Sequence, residues 1–130
     1  MTSYKQEDWY KSEVKKYTDK YSDVPPPWVF DPESHPYSIR WRMGGGETFI
    51  MVLGGWIEDA SMTEAESIGY LKKYPPPPRW LAWASDFIWD LEPWETDDFD
   101  YTPYLEKLKD LGFEGTSEYK SDLNDEKWLD

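Results

Sequence analysis

The chain has 130 residues, no Cys, 9 Trp, 10 Tyr and a formal charge of −13. That length fits one domain able to bury a core without staples, and the missing thiols exclude a disulfide framework, a thiolate nucleophile and a cysteine zinc site. The acidic balance repels nucleic-acid phosphates and draws in basic proteins; with no apolar run near the ~20 residues of a membrane span and no signal-peptide core in Met1 to Lys20, the expected location is the cytoplasm.

Met1 to Ser22 reads as a first helix, because Tyr10, Val14, Tyr17 and Tyr21 repeat at i, i+4, i+7 and i+11 among charged residues. Pro25, Pro26 and Pro27 stop it and leave an extended segment, after which Trp28, Val29 and Phe30 tuck against the body. The only His, His35, sits in a turn-rich loop from Asp31 to Pro36. A lone His with no second His or Cys is a poor metal site, and without a partner it is a poor general base. Ser38 to Met43 alternates, with Ile39, Trp41 and Met43 on one side and Arg40 and Arg42 on the other. This predicts at most a short extended segment near Ile39–Met43.

Met43 to Ile57 is the stretch around which the fold is expected to form. Gly44, Gly45 and Gly46 open it, and it is then apolar on almost every side. Phe49, Ile50, Leu53, Trp56 and Ile57 share one face of about three helical turns starting near Glu47. A strand over Thr48–Leu53 is the competing assignment. Gly54 and Gly55 weaken a helix by about 1 kcal/mol each relative to Ala, so they predict close approach by another helix or a bulky ring. The helices on either side of the next proline run are expected to pack round this one.

Ser61 to Tyr74 is the next helix, capped either by Ser61 with Glu64 or by Thr63 with Glu66. Ile68 and Leu71 face its core, and Lys72 and Lys73 complement the dipole of its last turn. Pro75 to Pro78 ends it and starts another. There Trp80, Trp83, Ala84, Phe87, Ile88 and Leu91 give the cleanest helical repeat in the chain, up to Pro93. Thr102 and Pro103 then open a helix over Tyr104, Leu105, Leu108 and Leu111. Gly112 stands where a left-handed C-cap belongs, and Phe113 is placed for the accompanying apolar contact. The expected fold is therefore all-α: a single irregular bundle of about five helices around a nearly all-apolar central helix, with Pro-rich connections. Residues 1–113 form the domain. Residues 114–130 are an acidic tail, either disordered or forming a short docked helix through Leu123 and Trp128.

Charge is uneven along the chain. Residues 1–89 hold 13 acids and 10 bases, and residues 90–130 hold 14 acids and 4 bases. The acidic, aromatic stretch with Trp94, Glu95, Asp97, Asp98, Phe99 and Asp100 is the candidate partner-binding segment. Its carboxylates speed encounter with a basic protein and its rings anchor it. It lacks the glycine and closing Glu of an EF-hand, so no metal is expected. A weaker candidate is an anion site made by Arg40, Arg42 and the backbone of Gly44, Gly45 and Gly46 at a helix start. It lacks the Lys-Ser/Thr of a phosphate loop, and Glu47 already answers the helix dipole. With no catalytic motif present, neither an enzyme nor a cofactor is expected. The primary expectation is a small acidic binding protein that occludes a basic surface of a partner protein, as an inhibitor, antitoxin or immunity protein does, with mimicry of nucleic acid as a close variant. Two alternatives stay open: a small-molecule anion binder using the Arg40/Arg42 and Gly44–Gly46 site, and a structural subunit of an oligomer.

Overall fold

The computed structural model describes residues 4–91 and 99–128. Among these residues the chain is all-α, with no strand. Seven α-helices are α1 (Asp8–Tyr21), α2 (Pro27–Phe30), α3 (Gly44–Ala60), α4 (Glu64–Lys73), α5 (Leu81–Trp89), α6 (Thr102–Asp110) and α7 (Tyr119–Leu123), supplemented by short 3-10 turns. No helix among them is long and apolar enough to cross a membrane. The fold gathers into two compact units, Met1–Pro32 with Ile39–Ser61, and Glu33–Ser38 with Met62–Asp130.

The first unit is organised by α3. Its buried residues are Gly46, Phe49, Val52, Leu53 and Gly55, while Ile50, Met51, Trp56 and Ile57 are half-buried. Phe49 sits in an aromatic nest. Phe30 of α2 stacks on it at 4.3 Å, Tyr17 of α1 meets it edge-on at 5.6 Å, and Trp41 lies tilted at 6.3 Å. Of the two glycines expected at a close approach, Gly55 is one, whereas Gly54 is exposed and meets nothing nearer than the Tyr4 hydroxyl at 4.0 Å. A Cβ on Gly55 would lie 2.8 Å from the Tyr10 hydroxyl and 2.9 Å from the ring of Tyr10, so α1 rests on α3 through a tyrosine laid on a glycine. The last turn of α3 carries Glu58 and Asp59 and no base, which is unfavourable at the negative end of a helix dipole. Lys5, from a 3-10 turn at Tyr4–Gln6, supplies the missing cation by pairing with both, and Tyr4 donates its hydroxyl to the Met51 carbonyl at 2.8 Å. Hydrogen bonds to the two carboxylates push the Lys5 ammonium well above the ordinary lysine range.

The alternation at Ile39–Met43 does not make an extended segment. Ile39–Arg42 closes as a 3-10 turn, and only Trp41 is buried; Ile39 and Met43 are exposed. The physical reason is the accounting of backbone hydrogen bonds. A stretch this short has no neighbouring strand to pair with, so its N–H and C=O groups are satisfied locally. The turn also packs its backbone directly on the first turn of α3, at Gly46. That contact explains why α3 begins at Gly44, a turn earlier than the glycine run alone suggests: tertiary contact overrides poor intrinsic propensity.

The second unit is built from α4 to α7 and the loop Glu33–Ser38. Thr63 with Glu66 forms the capping box of α4, the second of the two boxes offered by the sequence: Glu66 N–H donates to the Thr63 hydroxyl and Thr63 N–H to the Glu66 carboxylate. Gly69 lies mid-helix and exposed, with open space where a Cβ would stand. Gly69→Ala is therefore expected to raise stability by about 0.5–1 kcal/mol in urea unfolding, because only backbone entropy changes; a loss would mean that a neighbour occupies that space in solution. The predicted Pro78 start appears as a 3-10 turn, Pro78–Trp80, that leads into α5. Helix α6 ends as the sequence predicts: Gly112 is left-handed (φ 97°), Phe113 N–H donates to the Leu108 carbonyl at 3.0 Å and Gly112 N–H to that of Lys109 at 3.0 Å. These two bonds make the Schellman motif, and Phe113 and Leu108 are both buried.

Residues 115–128 fold back onto Pro78–Trp80 as α7 and two 3-10 turns. The tie is an ion pair between a buried arginine and a part-buried aspartate. Arg79, 6% exposed, donates its Nε–H to the Ser34 carbonyl at 2.6 Å and meets the Asp122 carboxylate at 3.4 Å. The Arg79 backbone N–H donates to the same Asp122 oxygen at 3.0 Å, the Trp128 indole N–H donates to the other at 3.2 Å, and the guanidinium lies 4.0 Å from the Trp128 ring centre. Burial pushes the Asp122 carboxyl up, but the hydrogen bonds from Arg79 and Trp128 and the charge of Arg79 outweigh it and hold the group below the usual carboxylate range.

Candidate functional site

In the second unit, α5 carries a single charged residue, Asp86, and the segment entering α6 is drawn onto it by that carboxylate. The Tyr101 hydroxyl donates to both Asp86 oxygens, at 3.0 and 3.2 Å. Rings gather between the end of α5 and the start of α6: Phe99 meets Tyr101 edge-on at 4.8 Å and stacks on Tyr104 at 6.0 Å, and Tyr104 lies 5.7 Å from Trp89. Lys107 places its ammonium 5.3 Å from the Trp89 ring and 5.2 Å from that of Tyr104. A cavity of about 280 Å³ opens beside this row, lined by Phe99, Asp100, Tyr101, Leu105, Tyr119 and Lys120 among others.

The electrostatics of the row follow from burial. Half-withdrawal from water pushes the Asp86 carboxyl up to about 6, against the Tyr101 hydroxyl, which favours the ionised form. Burial, then the charge of Asp86 and the bond to it, raises Tyr101 far above the ordinary tyrosine range. Burial likewise pushes Tyr119 up to about 12, helped by Tyr37 and Asp86. Because Asp86 binds its proton more tightly folded than unfolded, its contribution to stability is fully present below the unfolded value of about 3.9 and is lost as pH rises through about 6. Asp86→Asn, which keeps an acceptor for Tyr101, is expected to stabilise the protein at about pH 7.5 by on the order of 1 kcal/mol, a figure reduced because the group is only half withdrawn from water. Near pH 4 the gain should disappear; an equal gain at both pH values would show that proton uptake by Asp86 plays no part.

Of the predicted partner-binding residues, Trp94, Glu95, Asp97 and Asp98 lie outside the described residues. Phe99 and Asp100 lie within them and flank the same cavity. Asp100 also shapes the start of α6. Its carboxylate accepts the Thr102 N–H at 2.9 Å, so Tyr101 rather than Thr102 occupies the N-cap position of that helix. Hydrogen bonds from Thr102 hold the Asp100 carboxyl below its ordinary range. Sequence reasoning missed Asp86. The available signal was a single acid set between Ser85 and Phe87 in an otherwise uncharged helix.

The residues of the predicted anion site lie in the first unit, where two of them meet directly, Arg40 and Gly46. Arg40 pairs with Asp31, and the Arg40 carbonyl lies against Gly46 where a ligand would approach. Gly44 (φ 57°) and Gly45 are exposed at the start of α3, as is Arg42. His35, in the second unit, has both ring nitrogens engaged: Nδ1 accepts the Tyr37 N–H at 3.0 Å, and Nε2 lies 2.7 Å from the Leu123 carbonyl, the geometry of a ring protonated at Nε2.

Surface charge accompanies the aromatic row. Residues 33–38 and 62–130 together hold 18 acids and 7 bases, against 9 and 7 in the rest of the chain. Asp90, Asp100, Glu106, Asp110, Glu114, Glu118, Asp125 and Glu126 are exposed, whereas Asp122 is turned inward. No protein-family model, curated protein or solved structure matches the chain.

Proposed function

We propose that the protein is a binding protein without catalytic activity, which covers a basic surface of a partner protein in the manner of an inhibitor, antitoxin or immunity protein. The observation that carries this reading is the pairing of charge with rings in one unit. That unit holds nearly all of the net negative charge together with the row Trp89–Tyr104–Phe99–Tyr101, and the exposed Asp90 and Asp100 adjoin rings of that row in sequence. Long-range attraction sets the encounter rate, and rings that leave water on docking supply the affinity. Where the partner is itself a nucleic-acid-binding protein, the carboxylates stand in for phosphates and compete for the same cations.

The test is capture of a partner from the source cell followed by salt titration of the purified complex. Association is expected to slow steeply with ionic strength. The triple variant Asp97→Asn, Asp98→Asn and Asp100→Asn is expected to bind more weakly; the amide at position 100 keeps an acceptor for Thr102, so the start of α6 is preserved. A complex indifferent to salt and to the triple variant would remove this reading.

A further inference from the structure

A larger cavity of the second unit, about 570 Å³, runs between the proline segment after α4 and the turn after α6. Pro75, Pro76, Pro78 and Phe113 form its apolar lining, and Glu114 and Glu118 bring exposed carboxylates to it. Its shape depends on two left-handed glycines. Gly112 (φ 97°) turns the chain out of α6, and Gly115 (φ 88°) lies so close to Pro78 that a Cβ there would stand 2.8 Å from the proline ring. Prolines and a Schellman turn are stiff, so the groove exists before anything enters it, and little ordering entropy is lost on docking. A base, Lys72, also borders it, with its ammonium 5.9 Å from the Phe113 ring centre, over the apolar lining.

We propose that this groove receives an extended segment of the basic partner in which an arginine or lysine neighbours an apolar side chain. The apolar group lies on Phe113 and the prolines, and the cation pairs with Glu114 and Glu118. This deepens the binding reading above and rests on it. Charge complementarity selects the occupant: the two acids of the groove outnumber its one base, Lys72, so a cationic segment is favoured and an acidic one repelled.

The experiment uses the full ¹⁵N-labelled chain and a blocked peptide of alternating leucine and arginine. Saturable shifts of the Gly112, Glu114 and Gly115 amides are expected. Glu114→Gln with Glu118→Gln should weaken binding by about three- to tenfold, as for two partly exposed ion pairs. Glu106→Gln with Asp110→Gln, which removes the same charge from α6 outside the groove, should change it little. Equal weakening by both pairs, or shifts spread over the whole acidic surface, overturns the groove while leaving the basic-partner reading in place. Equal binding of a leucine–glutamine peptide overturns the cationic occupant. Failure of the arginine peptide to bind anywhere on the protein counts against the groove and the basic-partner reading together.

Discussion

Asp122→Ala is expected to destabilise the protein by about 2–4 kcal/mol, somewhat less than the cost of breaking a fully buried ion pair, because Asp122 itself is only part-buried. The substitution leaves the Arg79 guanidinium buried, held by the Ser34 carbonyl and the Trp128 ring but without its counter-charge. It also removes the acceptor of the Arg79 backbone N–H and of the Trp128 indole N–H. Asp122→Asn keeps the shape and one acceptor, so it should lose less, about 1–3 kcal/mol. The pH dependence follows from the lowered carboxyl. Stability from Asp122 is fully present above the unfolded value of about 3.9 and is lost as pH falls through the folded one, so the gap between wild type and Asp122→Asn should close at low pH. Urea unfolding across that range measures both effects. A loss below about 1 kcal/mol for Asp122→Ala at neutral pH would show that the pair is no more than a surface contact. Asp86 works in the opposite direction, so the two carboxylates together should give a stability maximum on the acid side of neutrality.

Gly46→Ala is expected to cost about 2–4 kcal/mol, whereas its neighbour Gly45→Ala should gain about 0.5–1 kcal/mol. A Cβ on Gly46 would stand 2.0 Å from the Arg40 carbonyl oxygen and 2.8 Å from its carbon, whereas a Cβ on Gly45 meets nothing within 4 Å. The obstacle at Gly46 is backbone, which has no rotamer to escape into, so either the Ile39–Arg42 turn or the first turn of α3 has to move. That movement would carry Trp41 away from Phe49 and Phe30. The opposite signs at adjacent glycines make the comparison decisive. If both substitutions stabilise, the 3-10 turn does not rest on α3 in solution. The pair of variants also bears on the anion-site alternative, because a ligand cradled by the glycine run would be weakened by both side chains.

Helix existence was readable from the sequence wherever a repeat was long. The Trp80–Leu91 and Tyr10–Tyr21 patterns give α5 and α1, and the prolines mark where those helices start or stop. Helix ends were harder to read. Ser22, Ser61 and Asp90 all take positive φ at the C-caps of α1, α3 and α5, where glycine is the residue that signals such a turn. So α3 runs on to Ala60, beyond the Ile57 suggested by its apolar residues. The segment at Ile39–Met43 failed for a different reason. Five residues alternate by chance as easily as by strand geometry, and nothing in the alternation itself says that no second strand waits to pair with it.

What the sequence determined by itself was local. The capping box at Thr63 and Glu66, the left-handed exit at Gly112 with Phe113, and the helical class each depend on hydrogen bonds that close within a few residues, so the residues that make them are neighbours along the chain. What only the tertiary structure decided joins residues far apart. Arg79 meets Asp122 across 43 positions, Tyr101 meets Asp86 across 15, and the Gly46 contact with Arg40 depends on the path of a turn rather than on any side-chain pattern. A buried Arg and a half-buried Asp look in a sequence like any other charge among 14 bases and 27 acids. Burial alone separates them, because the desolvation that raises Asp86 and the counter-charge that anchors Arg79 exist only once the chain has closed around them.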